Sequence, residues 1–377
     1  MGVPDPTPGS GTLTLHLVVG ARPNYPKVAA LRRACLALPG VRPLLVHTGQ
    51  HSSPALNEEL ARDLDLPAPD LQLPAVNTTG ARRLSTIIRG YDTLLETQAP
   101  DVVVVVGDVD STLACALAAA RRRIPLAHVE AGLRCADRGM PEEQNRRLVD
   151  RLADRLYTHS AEATQALLAE GVHRDAIVEA GNVMIDTLIA QRSAAHPPRS
   201  FPTALEGRPF GVVTLHRPEL VDRPTLLAPM IEALQAAARR LPLIFPVHPR
   251  TAQQLDQLGL RLDAPLHAVD PLPYNEFLWL MSHARLVITD SGGIQEETSF
   301  LGRPCLTVRP DTERPVTVRL GTNRVVGRDA SGLLPAVRAA LARPELRAQP
   351  TIPGWDGRAA ARIVADLVRW RGLSVAA

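Results

Sequence analysis

The chain has few cysteines and no cysteine pair. Its four cysteines, Cys35, Cys115, Cys135 and Cys305, are far apart and form no CxxC motif. Three of them stand in apolar or helix-like surroundings, which is typical of free thiols in a reducing compartment. No HExxH and no Cys/His cluster with zinc spacing is present, so we expect no metal.

Long apolar runs and runs of like charge are also missing. No stretch approaches the length that spans a bilayer, and the first residues have neither the basic start nor the apolar core of a secretory signal. We therefore expect a cytoplasmic protein that does not use a membrane. The net charge of +3 is small and there is no basic run, so we expect no nucleic-acid partner.

The length and the hydrophobic pattern predict two α/β domains. At 377 residues the chain exceeds what one core usually supports. Continuous apolar strands alternate with amphipathic helices, which is typical of doubly wound parallel sheets. A proline-rich stretch at 191–209 is interpreted as a linker. We expect Rossmann-like domains over 1–190 and 195–356, with a final helix within 357–377 that packs back on the first.

The pattern also predicts individual elements. The predicted strands are 12–19, 43–47, 101–106, 124–129, 156–159, 177–179, 209–215, 243–247, 266–269, 285–289 and 305–308. The clearest predicted helices are 25–38, 111–122, 142–156 and 357–371.

The stretch RLVITDSGGIQEE at 285–297 predicts an anion site. A buried strand leads into a helix, and Ser291, Gly292 and Gly293 stand at the junction. The start of a helix has unpaired N–H groups and partial positive charge, so it suits a phosphate. Glu297 follows by one helical turn and is suited to accept both hydroxyls of a ribose. The alternative is that the glycines only permit a tight turn.

Familiar cofactor and nucleophile motifs are absent. No GxGxxG opens a helix after a strand, so no nicotinamide cofactor is expected, and neither a Walker A sequence nor a GxSxG motif occurs. The groups that remain are carboxylates, histidines, arginines and the anion site. They suit acid–base chemistry on a sugar nucleotide, with the diphosphate as the leaving group.

Polar residues follow the strands in both halves of the chain. In open parallel sheets, ligands bind beyond the carboxyl ends of the strands. We therefore expect these residues to meet in a cleft that the two domains face. They are Arg22, Lys27, Gln50, His51, Asp108, Glu130, Glu142, Arg146, His216 and His248.

Several candidates have structural alternatives. Asp108 precedes a helix and is also interpretable as a capping carboxylate. Glu130 ends a buried strand, where Arg134 is a possible structural partner. Glu142 and Arg146 have the four-residue spacing of a surface ion pair.

Three more residues carry weaker signals. His216 is also interpretable as a hydrogen-bonded histidine at a strand end. Phe277 has the spacing of a core helix, and Arg314 precedes a proline, as is common in loops.

The motifs taken together resemble a known family. The chain is similar to the non-hydrolysing UDP-N-acetylglucosamine 2-epimerases, which have two domains of the glycosyltransferase-B type. The strings that carry the resemblance are GARPNYPK, HTGQH, VVVVVGDVDSTLA, HVEAGLR, MPEEQNRR, GNVMIDTL, VTLHRPE, FPVHPRT, PLPYNEFLWLM, TDSGGIQEET and DTERPVT. They occur in the family's order over most of the chain.

The resemblance implies reversible conversion of UDP-N-acetylglucosamine to UDP-N-acetylmannosamine. UDP leaves by anti-elimination to give 2-acetamidoglucal, and then adds back with a proton delivered to the other face of C2. The resemblance further implies no cofactor, a UDP-sugar as the substrate, a homodimer and a place in polysaccharide biosynthesis.

The resemblance also implies site residues. The expected catalytic residues are Asp108, Glu130, Glu142 and His216, of which His216 also contacts the diphosphate. The expected substrate-binding residues are Arg22, Ser291, Gly292 and Gly293 on the diphosphate, Glu297 on the ribose, Phe277 and the backbone near Leu272 on uracil, Arg314 beside the UDP, and Lys27 and Arg146 near the sugar.

Some positions depart from the family's pattern. Asp110 stands where asparagine is frequent, Leu220 replaces an asparagine after HRPE, and Ser52-Ser53 follow HTGQH, where some members have a second, activating site. The alternatives are therefore an epimerase of a related UDP-2-acetamido sugar, a hydrolysing 2-epimerase, a UDP-sugar glycosyltransferase, or a UDP-sugar sensor without catalysis.

Overall fold

The computed structural model describes residues 12–50, 54–342 and 351–372. The chain divides into two compact units. Unit 1 is formed by the chain up to Ile189 together with the chain from Pro353, and unit 2 is Ala190–Ile352. His51, a predicted strand-end residue, and Ser52-Ser53 lie outside the described residues.

Unit 1 alternates strands and helices. Its strands are β1 Leu13–Val19, β2 Val41–His47, β3 Leu71–Gln72, β4 Val102–Val106, β5 Leu126–Val129, β6 Arg155–Thr158 and β7 Ile177–Glu179. Its helices are α1 Asn24–Leu36, α2 Pro54–Asp63, α3 Gly80–Thr97, α4 Asp110–Arg121, α5 Pro141–Leu152, α6 Ala161–Ala169 and α7 Val183–Gln191, which ends across the boundary.

Unit 2 repeats the pattern. Its strands are β8 Gly211–Thr214, β9 Leu243–Pro246, β10 Leu266–Val269, β11 Leu286–Thr289, β12 Cys305–Thr307 and β13 Asn323–Val325. Its helices are α8 Pro218–Val221, α9 Pro224–Ala238, α10 Pro249–Gln257, α11 Tyr274–His283, α12 Gly292–Leu301, α13 Pro315–Arg319 and α14 Leu333–Leu341. The last helix, α15 Ala359–Trp370, belongs to unit 1.

Both sheets are parallel in the described part of the chain. The strand order is β3-β2-β1-β4-β5-β6-β7 in unit 1 and β10-β9-β8-β11-β12-β13 in unit 2. The chain reverses its direction of growth between β1 and β4, and between β8 and β11. Loops diverge at such switch points and leave room for a ligand beyond the strand ends.

The interior strands are apolar along their whole length. All five valines of β4 are buried, since helices cover both of its faces. Val103 and Val105 pack with Ile87 of α3 and Leu113 of α4 in one core cluster. The uniform valine run therefore positions the end of β4 without contributing chemistry itself.

Helix α15 packs against α1 in unit 1. Asp366 of α15 accepts hydrogen bonds from Arg155 at 2.7 and 2.8 Å and from the Tyr157 hydroxyl at 2.9 Å. Asp186 of α7 accepts from the backbone N–H of Ala360 at 2.7 Å, at the start of α15. These bonds join α15 to β6 and α7 of unit 1.

The largest differences from the predicted elements concern two strands and one helix. Strands β3 and β13 were not predicted, because they are two and three residues long and mostly polar. The helix predicted over 142–156 ends at Leu152. Asp154 then bonds the backbone of Leu126 twice, at 2.9 Å each, directly before β6 begins. None of the helices in the described ranges has the length and hydropathy of a bilayer-spanning segment.

Candidate active site

The turn after β1 is tied to β4 by one asparagine. Asn24 accepts hydrogen bonds from the N–H groups of Gly20 and Ala21 at 3.2 and 3.0 Å and donates to the carbonyl of Val106 at 3.0 Å. This turn carries Arg22, whose half-buried guanidinium has its pKa lowered by burial. The loss of hydration favours an anionic partner for Arg22.

Lys27 on α1 and Glu130 at the end of β5 form a buried ion pair. Both lie against Gly107, where a Cβ would come within 2.8 Å of Lys27 Nζ and 3.7 Å of Glu130 Oε2. Gly107 also has a φ of +66°, which favours glycine. A side chain at 107 would displace the ion pair.

Glu130 has an unusual backbone conformation. Its φ is +70°, a left-handed value that non-glycine residues rarely adopt. The N–H groups of Glu130 and Ala131 both donate to the carbonyl of Tyr157 at 3.1 Å, which stabilises this turn. Strained residues of this kind concentrate at functional sites.

Asp108 and Arg146 form a second ion pair, at the end of β4 and on α5. Arg146 is 1% exposed, and its other terminal nitrogen donates to Glu143 at 2.7 Å. Glu143 is fully buried and also accepts from Arg147 at 2.6 Å and from the N–H of Cys135 at 2.9 Å. Glu143 therefore positions the arginine that contacts Asp108.

Three structural alternatives from the sequence are wrong. Asp108 does not cap α4, whose N-cap is Val109 without a side-chain bond. Glu130 pairs with Lys27, while Arg134 contacts Asp150 and Glu170 instead. Arg146 is buried, so it is not part of a surface pair.

Glu142 lies half-buried in the first turn of α5, directly before Glu143. The two neighbours differ in surroundings, because the chain buries Glu143 completely and leaves Glu142 partly open. Glu142 remains the one of the two that a ligand can reach.

In unit 2, His216 stands at the end of β8 beside Asp290. Its Nδ1 lies 2.7 Å from Asp290 Oδ1, and Asp290 Oδ2 accepts from the N–H groups of His216 and Arg217 at 2.7 Å each. Burial opposes the charge of Asp290, but His216 and these N–H groups still hold its pKa below its usual range. The carboxylate therefore orients the imidazole and leaves Nε2 for another partner.

The residues predicted to bind an anion stand at the start of α12. Ser291 is the N-cap residue, and its side chain makes no capping bond. A Cβ on Gly292 would lie 2.4 Å from a terminal nitrogen of Arg314, so the guanidinium covers this glycine. Arg314 donates to Glu296 at 2.8 Å and pairs with Glu313 at 3.0 Å. The start of α12 and the buried guanidinium of Arg314 are thus adjacent, and both favour an anion.

Glu297 is buried within α12, 4% exposed. Burial raises the pKa of Glu297 to about 7, against the hydrogen bond that the Tyr274 hydroxyl donates at 2.9 Å. The nearby Glu296 raises this pKa further. Hydroxyl groups that donate hydrogen bonds to Glu297 would replace the hydration that its carboxyl group loses on burial.

The two residues expected near uracil lie against the core of unit 2. Leu272 and Phe277 are half-buried and pack on the cluster that includes Phe210 and Leu280. This contact agrees with the core-helix interpretation of Phe277, and a contact of Phe277 with a base stays a prediction.

Four buried residues in contact with these groups were not predicted from the sequence. They are Asp290, Glu143, His128 and Asp150. Asp290 follows a strand, so the strand-end rule would have found it. The others lie inside elements, where only the folded contacts distinguish them from ordinary helix or strand residues.

Comparisons with known proteins decide the family. The sequence model of the UDP-N-acetylglucosamine 2-epimerase family matches residues 33–368 of this chain. The chain belongs to the UDP-N-acetylglucosamine 2-epimerase family. The family and the enzyme class predicted from the sequence, an epimerase, are thereby confirmed.

Individual relatives are similar over nearly their whole length. A Pseudomonas aeruginosa protein, UDP-2,3-diacetamido-2,3-dideoxy-D-glucuronate 2-epimerase, is 36% identical over 86% of this chain and 92% of its own. The UDP-N-acetylglucosamine 2-epimerase of Methanocaldococcus jannaschii is 33% identical over 93% of this chain and 99% of its own.

A solved structure shows the same fold. The crystal structure of the M. jannaschii UDP-GlcNAc 2-epimerase in complex with UDP-GlcNAc and UDP has a TM-score of 0.86 and 33% identity, covering 95% of this chain and all of that one. The predicted pair of parallel-sheet α/β domains of the glycosyltransferase-B type is confirmed. The predicted cleft and the role of each residue stay predictions.

Proposed function

We propose that this epimerase interconverts UDP-N-acetylglucosamine and UDP-N-acetylmannosamine. The observation that carries the proposal is the arrangement of Lys27–Glu130 and Arg146–Asp108 around Gly107, in a chain of this family. Removal and return of the C2 proton requires acid–base groups, and these carboxylates are placed where ligands of parallel sheets bind.

Unit 2 supplies the UDP site in this proposal. The start of α12, with Arg314 and His216, binds the diphosphate, and Glu297 binds the ribose. Phe277 and the backbone at Leu272 contact uracil, and Arg22 of unit 1 adds positive charge. The cationic side chains and the backbone N–H groups stabilise UDP as it leaves and keep it available for re-addition.

The acid–base groups come from unit 1. Asp108, Glu130 and Glu142 exchange the C2 proton during anti-elimination to 2-acetamidoglucal and re-addition of UDP, and Lys27 and Arg146 contact the sugar. The reaction needs no cofactor, because loss of UDP replaces oxidation of the sugar as the route to C2.

A second substrate is favoured by one comparison. The P. aeruginosa relative, at 36% identity, is a UDP-2,3-diacetamido-2,3-dideoxy-D-glucuronate 2-epimerase. Such a sugar differs at C3 and C6 but undergoes the same change at C2. Parallel assays with both UDP-sugars decide between them by the ratio of kcat/KM.

Deuterated water tests the reaction itself. The protein is incubated with UDP-N-acetylglucosamine in deuterated water and followed by NMR. An epimerase gives an equilibrium mixture of two UDP-sugars with deuterium at C2. Stoichiometric free UDP would indicate a hydrolysing enzyme, and unchanged substrate for both UDP-sugars would contradict the proposal.

The cellular setting is also a proposal. The four cysteines are buried and free, which favours a reducing compartment, so we place the enzyme in the cytoplasm. The family resemblance supports a homodimer and a role in supplying polysaccharide biosynthesis. Analytical ultracentrifugation tests the dimer.

A further inference from the structure

His128 is completely buried in β5, two residues before Glu130. Its Nδ1 lies 2.7 Å from Asp150 Oδ1, and its Nε2 lies 2.8 Å from the carbonyl oxygen of Gly107. A carbonyl oxygen only accepts hydrogen bonds, and an ionised carboxylate also only accepts. Both ring nitrogens of His128 therefore face acceptors.

Asp150 is surrounded by donors. Its Oδ2 accepts from Arg134 at 2.8 Å and from the N–H of Gly132 at 3.2 Å. Burial opposes the charge of Asp150, but its pKa is lowered, and the permanently charged guanidinium of Arg134 stabilises the ionised carboxylate independently of His128. With Asp150 ionised, two hydrogen bonds from His128 require a proton on each ring nitrogen, and the ring is a cation paired with Asp150.

The position of this cation connects it to the proposed catalytic residues. The N–H of Gly107 donates to the carbonyl of Val129 at 3.0 Å, and the carbonyl oxygen of Gly107 accepts from Nε2 of His128. Both polar backbone groups of Gly107 are therefore hydrogen-bonded to β5. The Gly107 carbonyl belongs to the peptide group that leads into Asp108. The same glycine lies against the Lys27–Glu130 pair.

We infer that His128 is a doubly protonated positioning residue, which joins the ends of β4 and β5 and thereby sets the places of Asp108 and Glu130. The charged groups around it are Asp150 on α5, Arg134 in the loop before α5, and the two ion pairs beside Gly107. The positioning role rests on the proposed function; the charge of the ring does not.

The chain provides a matched control in His16. It is equally buried in β1, but Nδ1 lies 3.0 Å from the Tyr91 hydroxyl and Nε2 has no partner in the described part of the chain. Burial lowers the pKa of His16 to about 4. His16 should therefore be neutral where His128 is charged.

Nitrogen NMR of the whole protein with ¹⁵N-labelled histidine tests the charge, with His128→Asn and His16→Asn assigning the signals. At about pH 5.5, below the ordinary histidine pKa and above the value of about 4 for His16, His128 should show two protonated nitrogens and His16 one. Asp150→Asn should remove one proton from His128. A single protonated nitrogen on His128 in the wild type would overturn the inference.

Kinetics test the positioning. Displacing catalytic groups by a fraction of an ångström to an ångström should lower kcat of His128→Asn by about 10- to 100-fold with KM within about threefold. His16→Asn should keep both within about threefold of the wild type. A kcat of His128→Asn equal to that of His16→Asn would overturn the positioning role. If the wild type has no epimerase activity, the proposed function fails, and the NMR result still decides the ring's charge.

Discussion

At the scale of single residues, Asp108, Glu130 and His216 each have a partner that determines where the side chain points. Arg146 contacts Asp108, Lys27 contacts Glu130, and Asp290 contacts His216. The partners are buried more deeply than surface ion pairs, so solvent competes little for these contacts. Neutralising one member of such a pair should therefore change the position of the proposed catalytic side chain, and with it the rate of the reaction.

Asp108→Asn should lower kcat by at least about a hundredfold, because an amide cannot exchange a proton as a carboxylate does. Steady-state epimerisation measures this. Asp110→Asn is the matched control two residues along. Asp110 contacts Arg83 at 3.3 Å and Asn145 at 3.2 Å, and Asp110→Asn should retain most activity. Equal rates for the two variants would remove Asp108 from the mechanism.

Glu297 gives a prediction about pH. Its pKa of about 7 in the folded protein lies above the ordinary 4.5. Between these values the folded chain binds more protons than the unfolded one, so the free energy of unfolding contributed by this group falls as pH rises and then levels off. Glu297→Gln should remove this loss.

Urea unfolding at about pH 5 and about pH 8 measures the effect. Glu297→Gln should gain stability over the wild type at the higher pH, with little difference at the lower one. Glu58→Gln changes an exposed carboxylate and controls for the loss of one charge. A Glu297→Gln difference that does not change with pH would contradict the assignment.

At the scale of elements, the start of α12 shows why a strand–helix junction suits a diphosphate. The helix begins at Gly292, and the absence of a side chain there lets Arg314 lie directly against the backbone. An anion at this position meets unpaired N–H groups, partial positive charge and a guanidinium together. A Cβ at position 292 would displace the guanidinium from this place.

Gly292→Ala should weaken UDP binding at least about tenfold, because its Cβ displaces a guanidinium that two carboxylates hold in place. Titration calorimetry with UDP measures the affinity. Gly90→Ala is the control, because a Cβ there would meet Leu73 at an ordinary 3.7 Å inside α3. It should bind UDP like the wild type and be more stable by about 0.5–1 kcal/mol. Unchanged UDP affinity in Gly292→Ala would argue against this site.

At the scale of the whole molecule, the chain leaves unit 1 after α7 and returns to it with α15. The returning helix is joined by Asp366, whose pKa stays low despite burial because Arg155 and Tyr157 donate to it. A contact between residues 211 positions apart makes the stability of unit 1 depend on the end of the chain.

Asp366→Asn should lower the free energy of unfolding by about 1.5–3 kcal/mol, since it leaves Arg155 without its charged partner. Urea unfolding of the full chain measures this. Asp356→Asn changes a more exposed carboxylate paired with Arg362 and should cost less than about 1 kcal/mol. Equal losses of unfolding free energy in the two variants would contradict a larger contribution of the Asp366–Arg155 contact to stability.

Much of the fold was predictable because apolar periodicity directly reflects burial. The strand pattern predicted the parallel sheets, and the switch points follow from the strand order. The short edge strands β3 and β13 were not predictable, since two or three partly polar residues carry no periodicity. In the candidate site, strand-end residues were found from sequence, whereas Glu143 and His128 lie inside elements and were not.

The sequence by itself determined the chemistry that is available: carboxylates, histidines and arginines at strand ends, and glycines where a helix begins. Local patterns contain this information because strand ends and helix starts are local features. Only the tertiary structure decided the partners, such as Lys27 for Glu130 and Asp150 for His128. Partners come from distant parts of the chain, and burial, which sets their charge, is a property of the packed core rather than of neighbouring residues.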